Sequence, residues 1–457
     1  MIKQYLSKRS ISIVLITSVV FIVILSIKLY PSNANVPKSV VEKLKPDWKK
    51  FHHAINSKNI KEIQAIKSNL IKSLGDYAGV SEVDPSYEKN IDITEPDINQ
   101  LIVIWSESNK ENTITRPWVN AIKLSSYTGT KAPRLRKTLR QGLAELRSAE
   151  FDFLGKKKHM EIATDAFDYL VKVQSPTGVF GFPVGNDSKG NVARIVKNKI
   201  DEAKKRGKNI LWQDWIVDDL GSGDLKFDNG MVGAGLIYAY WVTGNPEYLA
   251  SAQKAGEWAM KQTYSANFNY NSFSGYLLAR LYRATGNLTY LKAAEDIFDY
   301  AVLPGQMENG RWFDPHNARI QYHSVMMRAL IEYYLALQVA ESKKAAKVKL
   351  AIVKGLNNLA MEITTFGISN PHEMLSLDAL ALGALAIEDK PLWKRAMNAN
   401  VNYLMQGYWK KLLAHQLPVP NGVANYIIYR QSHLNEIKGY EFKAQLQQKY
   451  EVVNGVD

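Results

Sequence analysis

Residues 229–252 read NGMVGAGLIYAYWVTGNPEYLASA, and residues 271–294 read NSFSGYLLARLYRATGNLTYLKAA. At an offset of 42, ten of 24 positions are identical, among them Asn229/Asn271, Gly233/Gly275, Tyr240/Tyr282, the Thr-Gly-Asn runs 243–245 and 285–287, and Tyr248/Tyr290. Self-similarity at such a period marks repeated supersecondary units. Each unit reads as a helix, a Thr-Gly-Asn stop and a second helix, with Gly244 and Gly286 where a left-handed C-terminal glycine belongs. The first helix is apolar nearly all round and predicts an inner position; the second is amphipathic and predicts an outer one. Weaker copies follow at 322–338, with Tyr334 in the place of Tyr240, and at 372–397, with Lys390-Pro391 in the place of Asn245-Pro246. The fold predicted is all-α: helical hairpins closing into an (α/α) barrel or toroid.

Outward from the repeat, HMEIATDAFDYLVKVQ (159–174) has helical spacing and ends in SPTG, a turn signal, then a glycine-rich loop. Residues 192–208 form a basic amphipathic segment, and WQDWIVDDLGSGDLKFDNG (212–230) is dense in acids and aromatics. Residues 132–158 are basic, with Arg134, Arg136, Lys137 and Arg140 among them, and read as a solvated helix face. Three regions are expected: 1–34 as a membrane anchor or signal peptide, 35–150 as an N-terminal helical region, and 151–457 as the toroid.

The N-terminus carries seventeen uncharged residues, 11–27, after Lys3, Lys8 and Arg9. That length is at the short end of a membrane span, and the basic flank holds the N-terminus in the cytoplasm. Ser32-Asn33-Ala34 has the form of a cleavage site, so the alternative is a cleaved signal peptide. Both readings export the rest of the chain, membrane-anchored or secreted, and argue against nucleic acid as a partner.

The 457 residues carry 58 Lys and Arg against 44 Asp and Glu, a net charge of +14. The balance favours acidic partners, a polyanionic glycan, a nucleic acid or an anionic membrane surface, of which export disfavours the nucleic acid. With 46 % hydrophobic residues the chain is neither disordered nor a polytopic membrane protein. The absence of cysteine excludes thiol nucleophiles, Cys-ligated zinc, iron–sulfur clusters and disulfides. There is no G-x-S-x-G, no P-loop, no H-E-x-x-H and no EF-hand loop, and no cofactor or metal is expected.

In a toroid the loops entering the inner helices line one mouth. The repeat therefore points to Asp228 and Asn229, Tyr270 and Asn271, Tyr322 and His323, and His372 and Glu373 as equivalent rim positions. Helix capping is a competing reading for Asp228 and Asn271, but not for the Tyr-His and His-Glu pairs. Glycoside hydrolysis needs two carboxyls. Asp228, at the start of an inner helix whose dipole favours negative charge, suits the base or nucleophile role. Glu373, Asp218 and Asp219 are acid candidates; Asp218-Asp219 also offer cation ligands, although a solvated loop accounts for them. Trp212, Trp215, Trp312 and Tyr270 offer aromatic faces to sugar rings. A different set, Tyr322, His323, Asn271 and Arg319, has the types needed to abstract a proton beside a carboxylate.

The inner helix, T-G-N, x-x-Y-L-x-x-A and outer helix, together with YLVKVQSPTGVFGFP (169–183), resemble the six-hairpin glycosidase superfamily. The resemblance covers about residues 159–407. It implies an (α/α) toroid acting on glycans, without a cofactor. PHNARIQYHSVM (315–326) is similar to a stretch of glucuronyl epimerases. The expected function is an exported, carbohydrate-active enzyme, a glycoside hydrolase on an oligo- or polysaccharide, acidic ones included. The alternatives are a polysaccharide lyase or uronyl epimerase, and a non-catalytic helical-repeat glycan-binding protein, for which a uniform concave face is the signature.

Overall fold

The computed structural model describes residues 38–74, 91–112, 129, 132–151, 156–185, 191–313, 320–368, 371–408 and 419–432. The apolar segment 11–27, Ser32–Ala34 and Arg319 lie outside the described residues. Among the described residues no helix is long and apolar enough to cross a membrane.

Among the described residues three helices precede the ring: α1 (Lys38–Asn56), α2 (Ile60–Leu74) and α3 (Ile98–Asn112). Five hairpins of inner and outer helix follow. They are α4 (Leu135–Phe151) with α5 (Lys156–Lys172), α7 (Leu225–Thr243) with α8 (Pro246–Met260), α9 (Phe268–Thr285) with α10 (Leu288–Ala301), α11 (Ile320–Val339) with α12 (Lys344–Phe366), and α13 (Leu375–Ala386) with α14 (Pro391–Tyr403). A last inner helix is α15 (Val419–Ser432). α4 packs on α7, α7 on α9, α9 on α11, α11 on α13, α13 on α15, and α15 returns to α4. Among the described residues six inner helices thus close a ring, with five outer helices around it.

The ring begins at Leu135, inside the stretch expected to precede the toroid. The basic run 132–158 is therefore solvated only in part, with Lys137, Lys157 and Lys158 exposed. Leu135, Leu139 and Leu146 of α4 join the main core, and Arg147 is buried against the Tyr238 hydroxyl and Asn425.

The Thr-Gly-Asn stop works through three residues with three tasks. Gly244 and Gly286 sit at φ 72° and 70°, and their N–H groups close the helix on Tyr240 O and Tyr282 O. A side chain with a Cβ strains in that left-handed region. Thr243 and Thr285 accept from the amides of Asn245 and Asn287, each at 3.2 Å. Asn245 and Asn287 then cap the outer helices, accepting from Glu247 N at 3.0 Å and Thr289 N at 2.9 Å. Each cap contributes about 1 kcal/mol.

Between α5 and α7 the chain makes an excursion over the mouth of the ring. It contains helix α6 (Asn191–Lys205) and a small antiparallel sheet of β1 (Phe182–Pro183), β2 (Leu211–Trp212) and β3 (Trp215–Ile216), in the order β1-β3-β2. Gln213 and Asp214 both have positive φ in the two-residue β2–β3 turn, so Asp214 is a turn residue.

Candidate active site

A cavity of about 510 Å³ opens where the excursion meets the N-terminal ends of the inner helices. Phe227 and Asp228 reach it from α7, Tyr270 from α9, Gln321 and Tyr322 from α11, and Leu375 from α13. α4 contributes Arg136, Lys137 and Arg140, and Arg134 stands just before it. Lys199 of α6, Phe182 and Ile216 complete the side covered by the excursion. A volume of this size is typical of small-molecule sites.

The helix starts differ by one turn from the sequence expectation, and this decides the geometry. α7 begins at Leu225, so Asp228 is in its first turn rather than at its cap. The amide of Leu225 is satisfied instead by Asp219 Oδ2 at 3.1 Å. α9 begins at Phe268, and Asn267 caps it by accepting from Asn269 N at 3.1 Å. Neither Asp228 nor Asn271 is a cap, which leaves both side chains available for other work.

Asp228 Oδ1 lies 3.1 Å from Arg136 Nε, in an ion pair with Asp228 almost wholly buried. The Arg136 guanidinium lies 4.6 Å over the Phe227 ring, and Phe227 packs edge-on against Phe273 at 4.3 Å. The carboxylate-facing arginine is thus held from a second direction. Asp224 accepts from Lys199 at 2.5 Å, Ser222 at 2.8 Å and the Tyr270 hydroxyl. Against the effect of burial, these donors hold its carboxyl below the usual carboxylate range. Burial, and the Asp224 carboxylate beside it, push the Tyr270 hydroxyl well up, so it stands as a proton donor. Arg140 lies deep in the wall; burial and the neighbouring Arg136 bring its guanidinium down to about 10, with Asp228 opposing.

The equivalent rim pairs split by one residue. Asp228, Tyr270 and Tyr322 line the cavity; Asn229, Asn271 and His323, the next residues along, are buried scaffold. Asn229 accepts from Phe180 N at 3.2 Å and donates to Ala255 O at 3.0 Å. Asn271 accepts from Ser265 N at 2.8 Å and donates to Ser265 O at 2.7 Å and Ala301 O at 3.1 Å. His323 packs edge-on against Trp312 and meets Arg311 through Nδ1 at 2.7 Å. Burial and that guanidinium keep its imidazole neutral.

Glu373 is buried and not on the cavity wall. His372 belongs to the short turn Pro371–Met374, and its side chain lies outside the described residues. Trp215 and Trp312 are core residues, Trp312 donating to Val302 O at 2.8 Å, while half-buried Trp212 stands on β2 away from the cavity wall. Asp218 is exposed and accepts from Leu220 N at 2.7 Å. Among the described residues no three His, Asp or Glu side chains gather for a metal ion.

The cations of the cavity escaped the sequence reading. Arg136 and Arg140, four apart and hence on one helix face, were the available signal. A repeated turn also went unseen. Gln174 donates to Gly178 O and Ser251 O, and Gln306 donates to Gly310 O and Ala351 O, with both glycines at φ 89°.

No family model matches the chain, and no curated protein matches it. The chain is structurally similar to three solved glycosidases at low scores. A glycosyl hydrolase of family 88 from Bacteroides vulgatus has a TM-score of 0.47 and 11 % identity, over 73 % of this chain and 100 % of that one. A GH76 α-mannanase from Bacteroides thetaiotaomicron has 0.44 and 12 %, over 66 % and 88 %. An unsaturated glucuronyl hydrolase from a streptococcus has 0.39 and 11 %, over 65 % and 82 %. At these identities the likeness says nothing of the reaction or the substrate.

Proposed function

We propose that this chain is a carbohydrate-active enzyme, a glycoside hydrolase working in the cavity at the mouth of the ring, exported and held at a membrane by residues 11–27. The observation that carries the reading is the convergence of Asp228, Tyr270 and Tyr322 on one cavity from three successive inner helices. Aromatic and apolar side chains, Phe182, Phe227 and Ile216, alternate there with charged ones. A sugar presents such a mixture, with apolar C–H faces and hydroxyl edges. In this reading Asp228 takes the proton of the attacking water or attacks the anomeric carbon, and Arg136 fixes its orientation. Tyr270, on the same cavity wall, is the candidate donor for the leaving oxygen.

One observation favours a second reading. The three carboxylates of the cavity each have a partner already, while two tyrosines stand among cations. Removal of the proton next to a uronate carboxylate uses that set: a tyrosine moves the proton and the guanidinium groups neutralise the carboxylate.

The test is an assay of the purified full-length chain on neutral and uronate-containing glycans, reading new reducing ends and unsaturated products separately. Reducing ends without unsaturation support hydrolysis, and unsaturated ends support elimination. Binding without turnover on any glycan leaves a binding protein and sinks the enzymatic reading. Fractionation of cells, with and without residues 11–27, tests the anchor.

A further inference from the structure

Five cations stand around the cavity: Arg134, Arg136, Lys137, Arg140 and Lys199. Three carboxylates face them, and each is committed. Asp224 is paired with Lys199 and Asp228 with Arg136. Asp219 accepts from the Gly221 and Leu225 amides at 3.0 and 3.1 Å. Arg134 lies over the Phe182 ring at 5.4 Å.

Arg140 differs from Arg136, whose equally sealed Nε has the Asp228 ion pair. In Arg140 the Nε is sealed from solvent with no acceptor among the described residues. It lines both the mouth cavity and a smaller one of about 90 Å³ in the bore of the ring, so it stands at their junction. Among the described residues the acids of the bore are engaged elsewhere. Glu332 there is held by Arg280 and Arg283, each at 2.6 Å, and Asp378 takes a hydrogen bond from Asn425 at 2.6 Å and lies 3.6 Å from Arg328. A guanidinium donor sealed from water and left unfilled is a costly arrangement unless something else fills it. Guanidinium groups present a planar fork of donors that matches carboxylate, sulfate and phosphate oxygens.

We infer that Arg140, with Arg136 beside it, is an oxyanion subsite at the floor of the mouth cavity, taken by a carboxylate, sulfate or phosphate group that enters from the open side. The inference rests on the reading of this cavity as the ligand site, but on no particular reaction. The oxyanion has two sources, the acid group of a sugar or a free inorganic ion.

Calorimetric titration of the full-length chain at constant ionic strength tests this, with sodium glucuronate, sodium sulfate and, as neutral control, glucose. Wild type should bind an oxyanion at least about tenfold more tightly than Arg140→Met, a change that removes the charge and keeps most of the stem. The same variant should leave the response to glucose unchanged. Without added oxyanion it should unfold no earlier than wild type, because burial already disfavours the Arg140 charge and no acceptor among the described residues takes the Nε–H. Preference for glucuronate over sulfate assigns the subsite to a sugar acid; equal or stronger binding of sulfate assigns it to a free ion.

Equal oxyanion affinity in the two proteins overturns the subsite, as does the absence of oxyanion binding to wild type. A methionine variant that fails to fold also counts against it, since Arg140 would then be a structural cation. Oxyanion binding that depends on Arg140, with no glycan turned over, sinks the enzymatic reading and leaves the subsite standing. Turnover of glycans without Arg140-dependent binding does the reverse.

Discussion

Asp228 of the second inner helix and Arg136 of the first lie 3.1 Å apart across the mouth of the ring, and both line its cavity. The pair joins two helices brought together only when the ring forms. It also places a carboxylate on the cavity wall. Asp228→Asn keeps the shape of the side chain and removes the charge. Turnover on the active glycan should fall by at least ~10²-fold, the scale of a lost general base. Affinity for the glycan should change little, while the thermal midpoint should fall because Arg136 loses its buried partner, so turnover is compared well below that midpoint. Normal turnover in a folded Asp228→Asn protein would remove Asp228 from the chemistry.

The two tyrosines separate the two reactions. Tyr322→Phe and Tyr270→Phe each remove one hydroxyl and keep the ring. For hydrolysis with Tyr270 as the donor, Tyr270→Phe should slow turnover ~10²-fold and Tyr322→Phe by much less. For proton abstraction by Tyr322, Tyr322→Phe should be the damaging change, with Asp228→Asn mild. Single-turnover rates of the three variants on one substrate make the comparison, and full activity in all three would mean that the chemistry lies elsewhere.

The repeat made the ring legible, because turn chemistry is local. Thr, Gly and Asn at 243–245 and 285–287 each meet a backbone demand that three adjacent residues can satisfy. The cavity was legible only in part, and the reason lies in register. Identity between copies marks Asn229 and Asn271, which tie each loop to the following outer helix. The residues just before them, Asp228 and Tyr270, differ between copies and line the cavity. Arg140 was hidden in a basic run, where sequence alone does not tell a solvated lysine from a guanidinium turned into the ring. His323 was drawn into the site by its neighbour Tyr322, yet one step along a helix turns a side chain by about 100°, here from cavity to core.

If Asn271 is scaffold, its loss should be read in stability. Its amide carries three bonds to backbone groups, from Ser265 N and to Ser265 O and Ala301 O, all buried. Asn271→Ala leaves those groups without partners and should cost ~2–4 kcal/mol in urea unfolding. A stability change near zero, with activity lost, would instead return Asn271 to the site.

Lys226 gives a pH dependence with a definite sign. Its side chain is buried, donating to Thr263 O and Asn271 Oδ1, and burial brings its ammonium from 10.5 down to about 8, against the pull of Asp219. Between these two values the unfolded chain keeps the proton and the folded chain releases it. The unfolded state therefore binds more protons, and stability rises with pH across that window. The cost of the buried ammonium is fully present below about pH 8 and relieved toward pH 10.5. The full shift corresponds to about 3 kcal/mol. Because other groups titrate in the same range, the quantity to follow is the difference between wild type and Lys226→Met in urea unfolding. Wild type should gain on the variant as pH rises through the window. A difference that stays flat, or moves the other way, would show that Lys226 keeps an ordinary ammonium in the folded chain.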